Sequence, residues 1–223
     1  MDFANPPPDV ESYNGDLRQA LGLGDDDRFI LQPTRVVQRK GIEHAIELVK
    51  RLDDPRAVLV ISHASGDEGF EYEQRVRSYA EMLGIRALFV DNVIGQGREA
   101  APDGGKVYSL EDVYPHADLV TYPSLFEGFG NAFLEAVWHR KPVFVNNYSV
   151  YKYDIRPKGF QAAEMTDYIT DSAVDETRRL LHDAEYRQQA TDRNYELGRR
   201  FFSYEVLESD PQHILTEIYG VTG

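Results

Sequence analysis

The sequence predicts an α/β fold in which a parallel sheet carries helices on both faces. Three observations predict it. Five short apolar runs recur along the chain, amphipathic stretches of helical spacing separate them, and Gly, Pro, Asn or Asp mark the junctions. Strands that are apolar throughout have no face fit for water, so helices must cover both sides. At 223 residues, 42% hydrophobic and 28% charged, the chain is long enough for one well-buried domain and too apolar to stay disordered.

The elements follow in order. The first dozen residues include Pro6-Pro7-Pro8 and read as an extended, capless lead-in. Residues 14–23 have helical character that stops at Gly22 and Gly24, so 1–24 stand apart from a domain at 25–223. Residues 28–33 (RFILQP) form the first buried strand, and Ile42, Ala45, Ile46, Val49 and Leu52 give 41–52 helical spacing. A strand at 57–61 (AVLVI), a helix at 72–83 ended by Gly84 and a strand at 86–90 come next. Residues 94–106 are Gly-rich and charged, and read as a loop too polar for core. A short helix at 110–116, a strand at 118–122, a helix at 131–139 and a strand at 142–146 continue the alternation, with a sixth strand near 160–164. Helices at 172–181, 184–201 and 204–219 finish the chain, the last kinked or restarted by Pro211.

Composition excludes several functions. Cysteine is absent, which removes disulfides, thiolate metal sites and a cysteine nucleophile, and fits a reducing cytoplasm. No apolar run is long enough to span a membrane, and the start Met1-Asp2-Phe3-Ala4-Asn5 lacks a signal-peptide pattern. A net charge of −14 repels nucleic acid. The surface is acidic and poor in Lys, as salt adaptation or plain solubility would make it. No carboxylate or histidine cluster suggests a metal.

In such sheets, ligands bind beyond the C-terminal strand ends. Two strand-end segments carry chemistry. In 33–41 (PTRVVQRKG), Arg35 and Lys40 offer a forked donor and a mobile point charge, a pair suited to a diphosphate; a solvated basic turn is the plainer reading. In 122–136 (YPSLFEGFGNAFLEA), a strand runs through Gly128 and Gly130 into a helix start at Asn131. The glycines permit close backbone approach, and the helix start favours an anion. Glu127 and Glu135 flank that start, where carboxylates suit hydroxyls better than phosphates. The layout is hydroxyl, anion, hydroxyl, which a nucleoside diphosphate sugar matches. His63 follows the second strand and could line the cleft, but a lone histidine at a strand end reads as structural. Tyr148, Tyr151 and Tyr153 read as loop packing rather than a platform for sugar stacking.

Glu127-x7-Glu135 within EGFGNAFLE, flanked by Pro123-Ser124 and Lys141-Pro142-Val143, together with Arg35, Lys40 and Gly41, resembles glycosyltransferase family 4 from residue 28 onward. The resemblance implies the C-terminal, donor-binding half of a retaining enzyme of the GT-B fold, built of two Rossmann-like domains. Arg35 and Lys40 would stabilise the leaving diphosphate, and Glu127 would hold donor-sugar hydroxyls. Gly128, Phe129, Gly130 and Asn131 would meet the sugar and diphosphate, Glu135 the ribose, and backbone near Val107 and Tyr108 the base. The donor would be a nucleotide sugar, UDP being the expected nucleotide, with no metal or other cofactor. Residues 2–6 resemble an interdomain linker, so the acceptor-binding domain is expected to be missing and this half inactive alone. Asn131 and Trp138-His139-Arg140-Lys141 depart from the family pattern and leave sugar and base open. A non-catalytic nucleotide-sugar-binding module is the alternative. A related epimerase or phosphorylase is a third reading, and Glu135 at a ribose position argues against a phosphorylase.

Overall fold

The computed structural model describes residues 1–65, 70–95, 97–101 and 104–204. In chain order the elements are α1 (Leu17–Ala20), β1 (Arg28–Gln32), α2 (Ile42–Leu52), β2 (Ala57–Ile61), α3 (Phe70–Leu83) and β3 (Ala87–Phe89). Then come β4 (Ile94–Gly95), β5 (Glu99–Ala100), β6 (Lys106–Ser109), α4 (Leu110–Val113), β7 (Leu119–Tyr122), α5 (Asn131–Trp138) and β8 (Val143–Asn146). Last are β9 (Ala163–Met165), α6 (Asp171–His182) and α7 (Ala184–Phe202). The helix expected at 204–219 falls, apart from Tyr204, outside the described residues.

The main sheet has six parallel strands in the order β3-β2-β1-β7-β8-β9. This is the Rossmann-like arrangement the apolar runs predict. The order reverses between β1 and β7, which are neighbours in space although ninety-one residues apart in sequence (119 against 28 at their first residues). Strand alternation divides the core in two. Phe29, Leu31, Val58 and Val60 face one side with α5 and the end of α7, while Ile30, Leu59 and Ile61 face the other with α2, α3 and α6. Each such buried aliphatic or Phe side chain stabilises the fold by roughly 1.5–3 kcal/mol. Local signals agree with the elements. Thr170 and Asp183 accept the Ala173 and Tyr186 N–H groups to cap α6 and α7, and Ser109 forms a reciprocal capping box with Asp112 at α4.

The structure departs from the sequence expectations in two linked places. Residues 94–106 are not a plain loop: β6 pairs with β4 and β5 in a small three-stranded sheet, and Ile94 is buried. The lead-in is not an extended tail. Phe3 is buried, its ring edge-on to Tyr195 at 5.5 Å, and Trp138 donates to the Asn5 carbonyl at 3.1 Å. The two segments neutralise each other's polarity. Lys106 pairs with Asp16 at 2.7 Å, Arg98 pairs with Glu11 and Asp112, and Tyr13 lies edge-on to Tyr108. Hydropathy alone cannot show pairing across ninety residues. A smaller shift has a local cause: α4 ends at Val113 and a tighter turn, Tyr114–His116, carries on, because Pro115 has no N–H to give an α-helix. Among the described residues no helix is long and apolar enough to cross a membrane.

The lead-in packing generates a stability prediction. Phe3→Ala should lower unfolding free energy by about 3 kcal/mol, as for other buried Phe truncations, read by urea denaturation. An unchanged midpoint would mean that residues 1–16 are not part of the domain.

Candidate functional site

Because β1 and β7 are paired, the segments after them leave the sheet together. The first ends in a tight turn, Gln38–Lys40, closed by Gly41 at φ 60°. The second ends at Gly130, φ 99°, immediately before α5. Their backbones touch. The Leu125 N–H donates to the Arg39 carbonyl at 2.8 Å, and Arg39 Nη1 donates to the Phe126 carbonyl at 3.4 Å. A Cβ on Gly41 would lie 2.6 Å from the Pro123 carbonyl oxygen, so glycine is required there both by conformation and by contact.

The result is one open cavity of about 540 Å³ at the switch point. Arg35, Lys40, Glu127, Gly128, Phe129, Gly130, Asn131 and Glu135 all line it. Lys40 is mostly buried and its ammonium pairs with the Glu127 carboxylate; Arg39 reaches the same carboxylate at 3.6 Å. Arg35 is exposed and makes no ion pair among the described residues. No side chain caps α5, its first turn holds no acid, and Asn131 and Ala132 at its start line the cavity. The positive helix end therefore adds to the three cations. One turn into α5, Glu135 accepts the Tyr114 hydroxyl at 3.0 Å, and burial pushes its carboxyl above the usual range.

Val107 and Tyr108 do not line the cavity. Their place in β6 commits them to the lead-in: the Val107 carbonyl accepts the Tyr13 hydroxyl at 3.0 Å, and the Tyr108 hydroxyl donates to Asp16 at 2.9 Å. Burial, and then Asp16, pushes the Tyr108 phenol up to about 12. The residues that follow them, Ser109, Leu110 and Glu111, instead edge a second hollow of about 550 Å³ that shares Glu135 with the first. Gly128 also differs from expectation. A Cβ there would meet nothing within 4 Å, so the need for glycine belongs to Gly130 alone.

Several residues of the cavity escaped the sequence reading as site residues. Arg39 sits in the same basic run as Lys40, and Tyr122 ends β7 beneath Glu127. His63 lines the cavity rather than serving only as packing, and its imidazole is lowered by burial and then by Arg35 and Lys40. Its position just past β2, the other neighbour of β1, is the signal that left a place in the cleft open to it. Tyr148 and Tyr151 are buried and Tyr153 is exposed, so the three do not form a stacking platform. Among the described residues no group of three or more His, Cys, Asp or Glu could hold a metal.

Residues 14–197 match the family described as glycosyl transferases group 1. The chain belongs to that family. Two mannosylglucosylglycerate synthases are similar to this chain. The one from Thermotoga maritima is 30% identical over 93% of this chain and 53% of its own length; that from Petrotoga mobilis is 32% identical over 74% and 42%. The chain thus spans about half the length of the curated relatives it matches. Among solved structures, Anabaena HepE in complex with UDP-glucose superposes with a TM-score of 0.74 at 14% identity, over 97% of this chain and 56% of that one. The C-terminal domain of a Francisella tularensis glycosyl transferase group 1 protein superposes with 0.66 at 16% identity, over 92% of this chain and 99% of that one. At such identities the likeness shows the fold: these neighbours are glycosyltransferases with the same Rossmann-like domain.

Two predictions follow from the geometry. Gly41→Ala should lower the melting temperature and weaken anion binding together, because the Pro123 carbonyl cannot yield without parting the loops, whereas Gly128→Ala should leave the melting temperature unchanged. Equal melting temperatures for the two variants would contradict the role given to Gly41. Glu135 supplies a pH signature. A carboxyl whose pKa is higher folded than unfolded binds more protons in the native state, so its ionisation costs stability as pH rises. Glu135→Gln should therefore melt above the wild type at pH 7, and the gain should shrink as pH falls toward the unfolded value of about 4.3. A gain independent of pH would mean that Glu135 does not ionise against burial.

Proposed function

We propose that this chain binds the donor for a retaining hexosyltransferase of the family 4 type, which moves a sugar from a nucleoside diphosphate to an acceptor hydroxyl presented by a second domain. The observation that carries this reading is that one cavity is lined by cations, a helix start and the two carboxylates Glu127 and Glu135. Arg35, Lys40 and the start of α5 suit the diphosphate. Glu127 suits sugar hydroxyls. Glu135, between the two hollows, suits the ribose, and the second hollow then receives the base. The names of the neighbours support it: Anabaena HepE was crystallised with UDP and with UDP-glucose, and the curated relatives are sugar-transferring synthases. UDP is the nucleotide to try first. A soluble donor and a chain without cysteine suit the cytoplasm.

In the reaction proposed, the bond from the anomeric carbon to the diphosphate oxygen breaks, and the acceptor oxygen bonds to that carbon from the same face. The departing phosphate takes the acceptor proton. The residues act chiefly on the charge that grows on the leaving group, which Arg35, Lys40 and the α5 amides stabilise without a metal ion.

Removing the two cations should have unequal effects. Arg35 is exposed, and Arg35→Ala should cost about 1 kcal/mol of nucleotide binding. Lys40→Ala also strands Glu127 beside an incoming anion and should cost about 3 kcal/mol. The carboxylates should separate as well. Glu135→Gln should weaken nucleotide and nucleotide sugar alike. Glu127→Gln should spare the nucleotide and remove only the extra affinity from the sugar. The check is titration of each variant with a nucleotide and its sugar. If Glu127→Gln loses the plain nucleotide as badly as Glu135→Gln does, the assignment fails.

A further inference from the structure

We infer that Tyr148 is a positioning residue for Glu127, its hydroxyl donating to that carboxylate once a donor has drawn Lys40 away. The inference rests on the donor-binding reading above. Tyr148 lies two residues beyond β8, 3% exposed, with its ring edge-on to Tyr122 at 5.9 Å. Its hydroxyl is buried and has no hydrogen-bond partner among the described residues. It presses against the loop that carries Glu127: a Cβ on Gly130 would sit 2.1 Å from the hydroxyl oxygen. The need for glycine at position 130 is thus set by Tyr148.

A buried hydroxyl without a partner destabilises a fold, and phenylalanine would fill the same space without that cost. The hydroxyl therefore calls for a role in another state. Burial, and after it the Glu127 charge, holds the phenol protonated well above its ordinary range, so its O–H is available to give. Glu127, itself mostly buried, is held by Lys40. A diphosphate competes for that ammonium. The carboxylate then keeps Arg39 at 3.6 Å and the Tyr122 hydroxyl, and its remaining lone pairs can take further donors. Sugar hydroxyls supply them from the cavity and Tyr148 from behind. With the carboxylate held on the protein side, its free lone pairs point at the sugar.

The test is Tyr148→Phe, alone and combined with Glu127→Gln, titrated with UDP against UDP-glucose and GDP against GDP-mannose. The single variant should melt at or above the wild-type temperature and bind the plain nucleotide unchanged. The extra affinity that the sugar confers should fall about tenfold, the scale of one hydrogen bond to a charged group. In the Glu127→Gln background the same change should do nothing further. A sugar increment equal to that of the wild type, or losses that simply add in the double variant, would show packing only and overturn the inference. So would a wild-type chain that gains nothing from the sugar, since Glu127 would then hold none. Failure to bind any nucleotide would instead bring down the donor-binding reading, and this inference with it.

Discussion

Two loops from distant parts of a chain make one site only where their backbones can touch, and here that contact is Gly41 against the Pro123 carbonyl. The sheet order brings β1 and β7 side by side, but adjacency of strands leaves the loops free to splay. Gly41 removes the side chain that would hold them apart. The Leu125–Arg39 backbone bond then fixes the register, and Lys40 meets Glu127. Every other feature of the cavity, including the aim of α5 into it, inherits that alignment.

The electrostatics of the site run against those of the molecule. A chain of net charge −14 gathers three cations and a helix start in one cavity. Unopposed, those charges would repel one another at close range. Glu127 balances two of them, which keeps a mostly buried Lys40 ammonium paired and in place. The same pairing means that an anionic ligand exchanges one partner for another rather than meeting a bare charge. Arg35 is exposed and has no ion pair among the described residues.

Much of this was legible in the sequence. The strands were, because fully apolar five-residue runs have few alternatives. So were the two loops, because cations and glycines at strand ends have a chemical meaning that needs no coordinates. What escaped reading depends on distant pairing. Residues 94–106 look too polar to fold until Arg98 and Lys106 find Glu11, Asp16 and Asp112, and that pairing takes Val107 and Tyr108 away from the cavity. His63 could be read as lining the cleft, but a lone histidine carries too little pattern to prefer that over packing. The buried hydroxyl of Tyr148 could not be foreseen at all, since an unpartnered atom is a property of packing.

The central claim is that Arg35, Lys40 and the α5 start form a diphosphate site that works by fixed charge. Calorimetric titration of the chain with UDP, GDP and ADP in EDTA tests it most directly, repeated at rising salt. The account predicts that at least one nucleotide binds without metal, and that its affinity falls as salt screens the cations. Binding that appears only when magnesium or manganese is restored, or that ignores salt, would contradict it.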